Sequence, residues 1–105
     1  MDNYFNNYLK LIEENKIDDI RKLYEISEIL KKTHKKRKKI IIFGNGGSAA
    51  ISSHVSVDLT KNANIRCVNF NEADLITCFS NDFGYENWLA KSIHYYGSGG
   101  FICSI

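Results

Sequence analysis

Several features are missing from this chain, and each absence removes a class of protein. There is no proline, and no apolar run is long enough to cross a bilayer, so a membrane-spanning role is not expected. Only three cysteines occur, Cys67, Cys78 and Cys103, widely spaced, odd in number and free of any CxxC pattern. They read as reduced thiols, partly buried as small hydrophobic groups, and not as a disulfide framework. The opening Met1-Asp2-Asn3-Tyr4-Phe5 has neither a basic nor an apolar leader region, so the cytoplasm is the expected location. The missing proline, beside abundant Lys, Ile and Asn, suggests an AT-rich gene and carries no functional weight.

What remains is ordinary in bulk. The 105 residues, 44% hydrophobic and 25% charged, allow one domain at most and are short for a complete doubly wound fold. The net charge is only +2, but half of the 14 basic residues stand between Lys31 and Lys39. A nucleic-acid stripe is one reading of that run. No aromatic residue interleaves with it, and cations also suit a helix C-terminus, so nucleic acid is not the expected partner.

The most informative stretch is Ile40-Ile41-Ile42-Phe43-Gly44-Asn45-Gly46-Gly47-Ser48-Ala49-Ala50. Three β-branched residues and a Phe predict a short strand buried on both faces. Gly44, Gly46 and Gly47 then permit positive φ and close approach to a ligand. Ser48 stands where a helix N-cap is expected. Strand, glycine turn and helix N-terminus together offer backbone N–H groups to an anion, for which phosphate or a phosphosugar is the natural guest. The spacing matches neither GxGxxG nor GxxxxGK[ST], and no Lys follows, which argues against a nucleoside triphosphate.

Phe5, Tyr8, Leu9 and Ile12 recur at helical spacing, and Asp18-Asp19 open a second helix carrying Ile20, Leu23, Tyr24 and Leu30. A third helix is expected from Ser48 to about Thr60, and a second strand over Ile65–Phe70. Asn71 is expected to cap a helix ending near Phe79, with a break over Ser80–Gly84. Tyr85–Tyr96 reads as another helix, and Phe101–Ile105 as the start of a third strand. The fold class expected is α/β: N-terminal helices (1–38), then a parallel, flavodoxin-like βαβαβ sheet (39–105), incomplete at its C-terminus. Its ligand belongs at the carboxyl ends of the strands. A half sheet with an unpaired third strand would expose apolar surface and strand edge, and the product would then have no function.

His54 and Asp58 are four apart on the third helix, hence on one face. Such a pair can share a metal or act as acid and base, though two ligands fall short of what zinc takes. An exposed His–Asp hydrogen bond is the simpler alternative. His34 and His94 have no evident partner. Asn81-Asp82 can reach a ligand from a loop, or merely form a helix C-cap ahead of Gly84. Tyr4, Tyr8, Tyr24, Tyr85, Tyr95, Tyr96 and Trp88 read as core or interface aromatics.

FGNGGSAAISSH with a carboxylate four residues on, and NEADLITCFSNDFGYENW further along, resemble the sugar isomerase (SIS) domain family, nearest its phosphoheptose isomerase branch. The likeness runs to about Tyr96. It implies a SIS-type fold and conversion of sedoheptulose 7-phosphate into D-glycero-manno-heptose 7-phosphate, an aldose–ketose isomerisation through an enediol. It implies that Gly44, Asn45, Gly46, Gly47 and Ser48 cradle the phosphosugar, with Asn81 and Asp82 contributing from the NDFG segment. His54 and Asp58 fall on positions that in several members bind zinc and supply the catalytic carboxylate, so the chain would hold two of the expected zinc ligands. The N-terminal helices would serve homotetramer formation, with sites at subunit contacts.

Two departures from the family pattern stand out. Asp58 replaces the usual Glu, which draws the carboxylate back by about 1.5 Å. A misplacement of about 1 Å can cost on the order of a hundredfold in rate. The serine-rich phosphate loop and the later helix with a Gln and a His have no counterpart in this sequence, and its tail is unlike the usual Gly-Asp-Val-Leu. The chain therefore reads as a truncated SIS domain, inactive by itself. A non-catalytic SIS binding module, of the kind that associates with a replication initiator, is the alternative from another class.

Overall fold

The computed structural model describes residues 2–98 and 100–104, without the side chains of residue 2 and of residues 100–104; Met1, Gly99, Ile105 and the Cys103 thiol fall outside the described residues. The elements run α1 (Asp2–Lys35), β1 (Lys39–Phe43), α2 (Gly47–Lys61), β2 (Cys67–Val68), α3 (Ala73–Phe83), a 3-10 turn (Tyr85–Asn87), α4 (Trp88–Tyr96) and β3 (Gly100–Ser104). The chain divides into two compact units between Leu30 and Lys31.

The first unit is a helix in place of the two expected. Glu13-Glu14-Asn15-Lys16-Ile17 contains neither Gly nor Pro to break it. The Asn15 side chain donates back to the Leu11 carbonyl at 2.8 Å, and Asp18 pairs with Arg21 at 3.4 Å instead of capping a new helix. Its apolar residues, among them Tyr4, Phe5, Leu9, Ile17 and Leu23, are exposed. Tyr4 and Tyr24 therefore lie outside the chain's own core.

The second unit holds the sheet, in the order β2-β1-β3 with both pairings parallel. Ile40 sits opposite Cys67, and Lys39 to Phe43 run in register with Gly100 to Ser104. The third strand is paired over five positions, as a parallel βαβαβ sheet requires, so the possibility of an unpaired third strand is not met. Central placement explains the run of three isoleucines: Ile40, Ile41 and Ile42 are all buried, as both faces of an interior parallel strand must be. Cys67 and Phe70 are the other buried apolar side chains among the described residues, and the Phe70 ring lies 5.8 Å from Tyr96. No described helix is long and apolar enough to cross a membrane.

Strand β2 is shorter than the alternation suggested. Past Val68 the Asn69 side chain turns the backbone by accepting the Asn71 N–H at 3.0 Å, and its amide donates to Ser56 Oγ at 2.8 Å. Asn71 does not cap α3. Glu72 holds the N-cap position without a side-chain bond, while Asn71 Nδ2 reaches the Ala49 carbonyl at 2.7 Å and Ser53 Oγ at 2.7 Å. Ser52 and Ser56 are buried, and Thr60 Oγ1 exchanges bonds with the Cys67 backbone at 3.2 and 3.3 Å. Helix α2 is therefore seated on the β2 side by a polar seam.

Helix α3 continues through Asn81 and Asp82 to Phe83, beyond the expected end at Phe79. It closes only where Gly84 takes φ 87°, with the Gly84 N–H on the Ser80 carbonyl at 3.0 Å. Phe79 stacks edge-on against Phe83 within the helix at 5.7 Å, and α3 meets α4 through Phe79 to Tyr95 at 5.9 Å and Lys91 over the Phe83 ring at 4.8 Å. Replacing Ile41, fully buried at the centre of the sheet, should cost about 2–5 kcal/mol as Ile41→Ala. A urea titration followed by circular dichroism measures it.

Candidate functional site

The glycine turn lies past the carboxyl end of β1. Gly44 is there because nothing larger fits: a Cβ at this position would lie 2.4 Å from the Ser48 carbonyl oxygen. Gly46 takes φ 58°, which a side chain rarely adopts, and it precedes α2 as the N-cap residue. Ser48 is not the cap; it sits in the first turn of α2. Around Gly46 and Gly47 no atom lies within 4 Å of where a Cβ would stand, so the turn faces open space.

Not every amide of the turn is available, as the sequence had suggested. The Ser48 N–H bonds to the Asn45 carbonyl and the Ala49 N–H to the Gly46 carbonyl, both at 3.1 Å, and the Gly46 N–H bonds to Asn45 Oδ1 at 3.0 Å. The Gly47 N–H, Asn45 Nδ2 and Ser48 Oγ have no partner among the described residues. No acidic residue occupies the first turn of α2, so its positive end is not neutralised there. This is an arrangement suited to one anionic group.

Sequence reasoning missed the residue that steadies it. Tyr85 OH donates to Asn45 Oδ1 at 3.2 Å, forty positions away in the chain. Both acceptor bonds fall on the carboxamide oxygen, which leaves the amine end of Asn45 for a ligand. Asn71 is likewise tied to the first turn of α2 through Ala49. One signal was visible: Ser48, Ser52, Ser56 and Thr60 recur every four residues, a hydroxyl stripe that needs polar partners.

His54 and Asp58 do meet, with Nε2 to Oδ2 at 3.4 Å, and their side chains are 80% and 50% exposed. So exposed a pair adds little to stability. At 1.5 Å rise per residue they stand roughly 10 and 16 Å along α2 from Gly47. They share its outward face with Ile51, opposite buried Ser52 and Ser56. Asn81 and Asp82 are exposed in the last turn of α3, where Asn81 Nδ2 donates to Asp82 Oδ1 at 3.1 Å and Cys78 Sγ lies 3.7 Å from Oδ2. The expected site residues therefore fall into three groups: the turn with Tyr85, the His54–Asp58 pair, and the Asn81–Asp82 pair.

Zinc does not fit what the chain supplies. No group of three or more His, Cys, Asp or Glu side chains capable of holding a metal occurs among the described residues. A structural zinc takes four ligands and a catalytic one three from protein.

No protein-family profile matches the chain. Individual proteins do. The phosphoheptose isomerase of Thermodesulfovibrio yellowstonii is 30% identical over 91 residues, covering 81% of this chain and 45% of that protein. That of Fusobacterium nucleatum is 28% identical over 96 residues, covering 87% and 48%. The chain is related to the phosphoheptose isomerases. It spans about half the length of the curated relatives it matches. The fold agrees: the structure of phosphoheptose isomerase GmhA from Neisseria gonorrhoeae superposes with a TM-score of 0.85, at 21% identity, over 96% of this chain and 55% of that one. The α/β class with a parallel sheet is the fold of these isomerases.

Substitutions separate close packing from polar steadying at the turn. Gly44→Ala should lose about 1–3 kcal/mol, since the new methyl meets backbone and not a movable side chain. Tyr85→Phe should lose no more than about 0.5–1.5 kcal/mol, the net value of one hydrogen bond. Paired urea midpoints test the order.

Proposed function

We propose that this chain is a phosphosugar-binding portion of a phosphoheptose isomerase-like protein. The observation that carries the reading is the open Gly46–Gly47 turn, with an unpartnered Gly47 N–H and Ser48 hydroxyl at the uncompensated N-terminus of α2. The phosphate sits at that turn, and Asn45 Nδ2, its oxygen held by Tyr85 and Gly46, donates to a sugar oxygen. Gly44 brings β1 and α2 close enough to form the cradle, and Asp82 with Asn81 orients a sugar hydroxyl.

In the intact activity, an aldose–ketose isomerisation, a base takes the proton α to the carbonyl and a donor steadies the enediolate. Asp58 is the base and His54 its acid partner; on the outward face of α2, roughly 16 and 10 Å along the helix from the turn, they act on a sugar held by the copy that covers this face. Zinc is not assigned a step, since the described residues do not provide its ligand set. The pair lies on the outward face of α2 beside Ile51, which is 53% exposed, and near Val57, 56% exposed. Apolar side chains at that exposure, together with the apolar stripe of α1, support a homo-oligomer in which another copy covers this face. The location is the cytoplasm.

The 105-residue chain should bind sedoheptulose 7-phosphate and show no measurable turnover alone. Titration with that sugar, followed by amide NMR, should shift Gly46, Gly47 and Ser48, and Ser48→Ala should weaken binding by roughly three- to tenfold, one hydrogen bond's worth. Shifts that spare the turn would refute the reading. Light scattering should give a mass above the 12.0 kDa monomer, and Ile51→Glu should return it toward that value.

A further inference from the structure

The opposite end of the sheet carries a second hollow that the isomerase reading does not use. It has a volume of about 550 Å³ and is lined by His34, Lys35, Arg37, Lys38, Thr60, Asn64, Ile65 and Arg66. Lys38 precedes β1, whereas the glycine turn follows it. The two are therefore separated by the length of the strand, about 16 Å at 3.3 Å per residue.

Four permanent cations line this hollow and no carboxylate does. None of Lys35, Arg37, Lys38 or Arg66 forms an ion pair among the described residues. Lys10 has Glu14, Arg21 has Asp18, and Lys91 lies over the Phe83 ring; several other surface lysines are unpaired too, and what sets these four apart is that they converge on one hollow. Helix C-termini account for part of the charge, since α1 ends at Lys35. They do not account for Arg66, which stands immediately before β2. The Ile40 N–H bonds to the Arg66 carbonyl at 2.8 Å, so the approach to β2 is tied directly to β1. Like charges held on neighbouring strands repel.

The backbone holds the rim in shape. Arg37 and Asn64, the two described non-glycine residues with positive φ, at 55° and 54°, both line the hollow. The Arg37 N–H closes on the His34 carbonyl at 2.8 Å and the Lys38 N–H on the Thr33 carbonyl at 3.1 Å. Cationic side chains thus project from two fixed corners, after α1 and after α2. The volume lies within the range of small-molecule sites. The lining has no Phe, Tyr or Trp on which bases would stack, and His34 is its single aromatic ring.

We propose that this hollow binds a small polyanion carrying two or more linked phosphate groups. A single phosphate engages too few of the four cations, and a strand of nucleic acid finds no more than the His34 ring to stack on. Occupancy relieves the repulsion among Lys35, Arg37, Lys38 and Arg66, and the bound anion lies apart from the phosphosugar turn.

The test uses the full 105-residue chain with pyrophosphate as probe, orthophosphate and a twelve-residue oligothymidylate as comparisons, and calorimetry and amide NMR as readouts. Pyrophosphate should bind at least about tenfold more tightly than orthophosphate, shift the Arg37, Lys38, Asn64 and Arg66 amides, and weaken as salt rises. The exposed-site variant Lys35→Gln/Lys38→Gln/Arg66→Gln should lose about tenfold or more in affinity while its melting curve is retained. If that variant unfolds, the wild-type amide shifts decide alone. Shifts confined to Gly46–Ser48, equal affinity for orthophosphate, or tighter binding of the oligothymidylate would each overturn the proposal. A failure here leaves the sedoheptulose 7-phosphate result untouched, because the two probes report on different amides.

Discussion

At the end of β1 the chain reverses so tightly that a single methyl group at residue 44 would lie 2.4 Å from the Ser48 carbonyl oxygen. This contact brings the first turn of α2 against the strand's carboxyl end. It also forces the backbone through positive φ at Gly46 before the helix can begin. The open space at Gly46 and Gly47 is the other side of the same constraint, because side chains there would fill the place where an anion can sit.

How α2 is then held is unusual for a helix on a parallel sheet. Its fully buried positions are Ser52 and Ser56, flanked by half-buried Val55 and Leu59, and their partners are the carboxamides of Asn69 and Asn71. Hydrogen bonds are directional where apolar contacts are not. A seam of them fixes the helix's rotation and so decides that Ile51, His54 and Asp58 face outward. Among the described side chains of the sheet unit, the buried apolar ones are Ile40, Ile41, Ile42, Cys67 and Phe70.

The ends of the sheet differ in electrostatic character. At the carboxyl end, one helix N-terminus meets no acidic side chain in its first turn. At the amino end, lysines and arginines gather around the helix C-termini and the start of β2. Both ends suit anions for different reasons: oriented backbone groups at one, side-chain charge at the other.

Much of this was legible in residue order alone. Ile40-Ile41-Ile42 can be comfortable only where both faces are covered, and Gly44-Asn45-Gly46-Gly47 only where a backbone turns hard, so strand and turn follow from local chemistry. The pairing of His54 with Asp58 follows from helical periodicity. Residue order did not reveal that Tyr85 would reach Asn45, that Asn71 would leave its capping position for α2, or that Arg66 would join the basic run after α1. Each of these depends on partners distant in sequence, or on competition between a local bond and a tertiary one. Local geometry is set within a few residues by φ, ψ and side-chain shape. A hydrogen bond between positions 45 and 85, or a cluster of like charges drawn from two corners, exists only once the sheet has brought the segments together.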